Sequence, residues 1–157
     1  RMKSSITERL AALGLVLPAA PKPVASYIPA RRSGGLVFTA GQLPFVDGVL
    51  THTGPVGTSP GLVSLADAQA CARTCVLNAL AAASTVVALS SIIGVVRVGV
   101  FVACEAAFTE HPKVANGASD LLVEIFGQHG RHARAAVGCP SLPLNAPVEV
   151  DVIFEVA

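Results

Sequence analysis

Apolar and polar positions alternate most cleanly near the end of the chain. Val148, Val150, Val152 and Phe154 fall on one side, and Glu149, Asp151 and Glu155 on the other. A period of two predicts a half-buried strand from Val148 to Val156. Ile92 to Ala103 is a run of Val, Ile and Phe that reads as a buried strand, and Ala133 to Val137 reads as another. Near the front, Tyr27 to Arg32 and Leu36 to Ala40 flank Ser33-Gly34-Gly35, the pattern of a hairpin. Elsewhere the spacing turns helical. Ser64, with Asp67 three residues on, caps an Ala-rich helix to about Val87, and Ala68, Ala72, Ala79, Ala82 and Ala83 give it a smooth face for a sheet. Pro112 suits the first turn of a helix running to Phe126, with Gly127 past its end. Ser5 and Glu8 form a capping box for a short leading helix, Ser5 to Leu13, which Gly14 can end.

The order is therefore helix, then β-β-α-β-α-β-β. It predicts an α+β fold with the helices on one face of the sheet. Leu17 to Pro29, holding Pro18, Pro21, Pro23 and Pro29, reads as an extended lead-in, and His52 to Gly61 as a loop rich in Gly, Pro and Thr. Residues 1–23 then carry the leading helix and lead-in, and 24–157 the main domain.

Composition narrows the function classes. The chain has 157 residues, enough for one domain with a real core. At 52% hydrophobic and 13% charged it is not a disordered protein. A formal charge of +1 supplies no field for a polyanion, so no nucleic acid is expected. So little charge implies that the open sheet face is covered, most simply by another copy of the chain. Arg73 to Arg97 encloses a stretch without charge, but Thr74, Asn78, Ser84, Thr85, Ser90 and Ser91 interrupt it and its character changes from helix to strand near Leu89. It reads as a buried helix and strand, with no membrane span expected. Arg1 to Leu17 lacks the pattern of a signal peptide. Cys71, Cys75, Cys104 and Cys139 contain no CxxC pair and read as reduced core thiols of a cytoplasmic protein.

Phosphate-loop, dinucleotide, zinc-protease and nucleophile-elbow motifs are absent. Among His52, His111, His129 and His132, the pair His129 and His132 with Cys139 falls short of the four ligands of a structural zinc site. No metal is expected, and these histidines read as exposed loop residues. The informative stretch is Gly130 to Val137. There Arg134 enters an apolar strand, where an unpaired guanidinium is costly, so it needs a structural carboxylate or an anionic ligand. Glu149, at the start of the last strand, could neutralise Arg134 or orient a water.

Gly41-Gln42 after the hairpin, Asn116-Gly117 in the later helix, Arg134 opening a strand, Leu142-Pro143 and Val148-Glu149-Val150 together resemble the RidA/YjgF family of reactive-intermediate deaminases. The resemblance spans roughly Val24 to Val156. Pro112 to Phe126, with its Pro-Lys-Val-Ala-Asn-Gly-Ala-Ser-Asp string, and Gly130 to Arg134 are similar to a less-studied subgroup that also carries the leading helix. The resemblance implies a chorismate-mutase-like fold, a homotrimeric barrel with ligand clefts between subunits, and hydrolysis of 2-imino acids to 2-keto acids and ammonia without a cofactor. It also implies site residues. Arg134 would grip a small-molecule carboxylate, the Gly41 backbone and Tyr27 would border the cleft, Asn116 would lie near it, and Glu149 would serve the hydrolytic water. Ala136 and Ala40 stand where many relatives have Cys and Ser. The alternative to an enzyme is a carboxylate-binding or regulatory trimer. Ribonuclease activity ranks last, for want of a basic stripe or stacking aromatics.

Overall fold

A computed structural model describes residues 4–22 and 26–157. The boundary expected between residues 23 and 24 lies outside the described residues. Helix α1 (Ile6–Ala12) has the expected capping box, Ser5 and Glu8 each satisfying the other's backbone N–H. Strands β1 (Ala30–Ser33) and β2 (Leu36–Thr39) form a hairpin whose Gly34 has a φ of +56°. Next come a two-residue pair, β3 (Phe45–Val46) and β4 (Val49–Leu50), then helix α2 (Leu65–Ala83). Strand β5 (Ile92–Ala103), helix α3 (His111–Phe126), strand β6 (Ala133–Cys139) and strand β7 (Val148–Val156) complete the chain.

The main sheet runs β1-β2-β7-β5-β6, antiparallel except for the parallel pair β5 and β6. Helices α2 and α3 pack together and against one face of it. Val37, Val98, Val100, Val102, Val148, Val150, Val152 and Phe154 point into that layer and are essentially inaccessible. The alternation expected for the last strand is realised residue by residue, with Glu149, Asp151 and Ile153 on the other, open face. Strand β6 closes the sheet with one side of its ladder unpaired among the described residues.

Several boundaries differ from the sequence reading. Strand β1 begins at Ala30 because Pro29 has no N–H for a ladder, which leaves Tyr27 ahead of the strand and 58% exposed. Helix α2 stops at Ala83, where the hydroxyls of Ser84 and Thr85 turn back onto the carbonyls of Ala81 and Ala82. The β3–β4 hairpin went unexpected, although Asp47-Gly48 between two short apolar pairs is a turn signal and both residues adopt positive φ. Cys71 and Cys75 are core residues as expected, whereas Cys104 and Cys139 are half-buried at the strand ends. No helix among the described residues is long and apolar enough to cross a membrane.

Candidate functional site

Strand β6 places Arg134 opposite Val98, a residue of the helix-covered face. Paired residues share a face, so the guanidinium leaves the sheet edge on the helical side and meets α3. There Pro112, Asn116 and Ser119 recur at helical spacing and form one stripe. Nη1 of Arg134 donates to Asn116 Oδ1 at 2.9 Å and to Ser119 Oγ at 3.1 Å, and Nη2 donates to the Pro112 carbonyl at 3.4 Å. All three acceptors are neutral. No carboxylate forms an ion pair with Arg134 among the described residues, and its Nε has no acceptor there. The edge formed by Nε and Nη2 is therefore the one able to meet two oxygens of a carboxylate side-on.

The hydroxyl of Ser119 is itself engaged. It lies 2.9 Å from His132 Nε2, while His132 Nδ1 lies 2.6 Å from the Gly130 carbonyl. A carbonyl only accepts, so Nδ1 carries the hydrogen of the neutral ring and Nε2 accepts from Ser119. Burial holds the His132 pKa below its ordinary value, and the Arg134 charge acts the same way against an opposing contribution from the Gly130 carbonyl. Gly130 is required by space, since a Cβ there would lie 2.3 Å from the Leu122 carbonyl oxygen. Ser119, His132 and Arg134 line one open groove, with Arg131 at its rim.

Gly41 and Glu149 form a second locus, on the open face. Between the pairs Phe38–Ile153 and Gln42–Val150, the chain continuing from β2 spends one residue more than β7, a bulge that holds Gly41. Gln42 exchanges both backbone hydrogen bonds with Val150, at 2.8 and 3.0 Å. Thr39 Oγ1 fills the gap by accepting from the Val152 N–H at 3.0 Å. From α2, Asn78 donates to the carbonyls of Leu43 and Phe45 and pins the chain that follows. The Glu149 carboxylate then lies over Gly41, where a Cβ would be 2.0 Å from Oε1 and 3.1 Å from Cγ. Burial, and secondarily the Asp151 charge, push the Glu149 pKa up. Asp151 is raised by burial too, against the lowering influence of Arg97 and the Gly99 amide.

The five residues singled out in the sequence thus fall into groups. Arg134 and Asn116 are brought together by α3 and β6, and Gly41 and Glu149 by the bulge. Arg134 and Glu149 lie on opposite faces of the sheet, so Glu149 does not neutralise the arginine of the same chain. Tyr27 leads into β1, at the sheet edge opposite β6. Sequence reasoning missed Ser119, Asn78 and the engagement of His132, which is half-buried and hydrogen-bonded rather than an exposed loop residue. The signal for Ser119 was its place in the stripe with Asn116; nothing local announced its link to His132. Among the described residues, no three His, Cys, Asp or Glu side chains are grouped to hold a metal ion.

Comparison with known proteins identifies the scaffold. Residues 7–156 match the family described as "YjgF/chorismate_mutase-like, putative endoribonuclease". Protein TCP17 of Trypanosoma cruzi is 40% identical over 152 residues, covering 96% of this chain and 93% of that protein. The crystal structure of Atu1372, a protein of unknown function from Agrobacterium tumefaciens, superposes with a TM-score of 0.87 at 42% identity, covering 97% of this chain and 92% of that one. A structure from Shewanella oneidensis, titled a "putative endoribonuclease", gives a TM-score of 0.90 at 34% identity over 98% of this chain and 100% of its own. The chain belongs to the YjgF/chorismate mutase-like family.

Proposed function

We propose that the protein hydrolyses 2-imino acids and their enamine tautomers to 2-keto acids and ammonia, at clefts where copies of the chain, three by family resemblance, bring Arg134 of one to Glu149 of another. The observation that carries this reading is Arg134 itself: a cation positioned by neutral acceptors and lacking an acid partner among the described residues is built for an anionic ligand. Its Nε and Nη2 edge would hold the substrate carboxylate, fixing C2 of the imine. Glu149, with a raised pKa, suits a group that takes a proton from water and later returns it.

The steps balance without a cofactor. Water adds to C2 of the protonated imine as Glu149 accepts its proton, giving a carbinolamine. The nitrogen then takes a proton, the C–N bond breaks, ammonia leaves, and the hydroxyl loses its proton to become the keto group. Gly41 supports the arrangement by leaving room for the carboxylate over the bulge. Tyr27, ahead of the far edge strand, would border the cleft from the neighbouring copy.

The test is ammonia release from 2-iminopropanoate generated in situ, comparing wild type with Arg134→Ala. Acceleration that disappears in the variant is expected. Binding of pyruvate without any acceleration would instead favour a carboxylate-binding or regulatory assembly. The family description also names an endoribonuclease, so RNA cleavage by the purified protein is the second activity to assay. A net charge of +1 weighs against it.

A further inference from the structure

We infer that His132 and Ser119 are positioning residues of the carboxylate site, forming a one-way relay of hydrogen bonds from Arg134 to the Gly130 carbonyl that fixes which edge of the guanidinium faces the ligand. The inference rests on the carboxylate-binding reading above and deepens it. Its basis is the sequence of donors and acceptors. Gly130 can only accept, so it sets the His132 tautomer; His132 Nε2 must then accept, so the Ser119 hydrogen points to it; the Ser119 oxygen is left to accept from Arg134. With Asn116 taking the other Nη1 hydrogen, the guanidinium cannot swing about its long side chain, and Nε with Nη2 stays outward. Each bond specifies the next, and all four groups come from α3 and the stretch entering β6.

The relay has a built-in direction of failure. Protonation makes His132 Nε2 a donor. Two cationic donors, His132 and Arg134, then converge on one hydroxyl oxygen, and the Ser119 hydrogen loses its acceptor. The charged groups around the ring are Arg134 and Arg131 on its own segment, Asp120 and Glu124 on α3, and Arg97 on β5, paired with Ala133. Glu124 is already tied to Arg73 at 3.2 Å. Burial and the Arg134 charge keep the ring neutral near pH 7, so the relay is intact there and fails on acidification.

The experiment measures pyruvate binding by calorimetry on the full chain, at about pH 8 and about pH 5, on either side of the ordinary histidine range. Wild type, Ser119→Ala, His132→Ala, His132→Gln and Arg134→Ala are compared. Nitrogen chemical shifts of His132 are recorded in parallel. The expected result is a protonated Nδ1 and bare Nε2 at high pH. Ser119→Ala and His132→Ala should bind about ten- to a hundredfold more weakly there. His132→Gln, which offers an acceptor that does not titrate, should recover part of the affinity lost in His132→Ala and lose the acid sensitivity. An Nε2-protonated ring, unchanged affinity in Ser119→Ala and His132→Ala, or wild-type affinity that rises on acidification overturns the relay. If those variants match wild type while Arg134→Ala fails to bind, the relay falls and the carboxylate reading stands. If wild type itself does not bind, or Arg134→Ala binds equally well, the reading falls and takes the relay with it.

Discussion

The Arg134 and Glu149 loci are prepared in opposite ways. Around Arg134 the described residues supply hydrogen-bond partners and no opposite charge: three neutral acceptors fix the cation and leave its charge without an acidic partner. Around Glu149 the described residues supply neither, only partial burial over Gly41 and a like charge at Asp151, and the carboxyl responds with a raised pKa. The first treatment suits a group that binds, where geometry is held and charge is left for the ligand. The second suits a group that takes up and returns a proton. Within one chain the two are separated by the thickness of the sheet, so neither can satisfy the other.

That division of labour can be broken from either side. Glu149→Gln should remove most of the turnover, about 10²–10⁴-fold in kcat, while leaving pyruvate affinity nearly unchanged. Arg134→Ala should act through binding instead, raising KM and weakening pyruvate binding by at least about thirtyfold, so that acceleration is lost at sub-saturating substrate. Equal effects of both variants on binding and turnover would erase the distinction. Gly41→Ala sharpens it: the new methyl group overlaps the Glu149 carboxylate, and the displaced acid should cost up to about a hundredfold in kcat. An unchanged kcat would show that Glu149 moves aside freely or does not serve the reaction.

The smallest effect concerns pH. If ionised Glu149 is the base, the acid limb of the kcat profile follows its pKa, which burial and Asp151 raise. Asp151→Asn removes the second influence, so that limb should move to lower pH. A limb that stays put would assign it to another group.

How much of this was legible beforehand depended on the range of the interaction. The alternation in β7, the helix caps at Ser5 and Ser64 and the hairpin glycines are local, and the chain declares them residue by residue. Arg134 was legible as an anomaly, because a guanidinium in an apolar strand demands a partner. Its partners were not all legible, because they depend on β6 pairing in parallel with β5, which carries the arginine under α3 and away from Glu149. Asn116 was picked out, while Ser119, one turn further along the same stripe, was not. His132 looked like a loop residue because its engagement is set by Gly130 approaching the α3 backbone, a contact that exists only once the layers are packed. Strand β1 began later than its β-prone residues suggested, since a proline can forbid a ladder that propensity favours.

Strand β6 has a consequence for the life of the newly made chain. Its outer side has no strand partner among the described residues along Ala-Arg-Ala-Ala-Val-Gly-Cys, a sequence without proline, lysine or acid to discourage another strand from adding. Arg134 is the single charge, and its guanidinium is held against α3 rather than along the edge. Such an edge tolerates solitude poorly: at low concentration it waits, and in the crowded company of unfolded chains it is a template for mispairing. If copies of the chain are its natural cover, abundance and assembly rate decide whether the edge is sheltered in time. Dilution is then a stress in its own right, because it uncovers that edge.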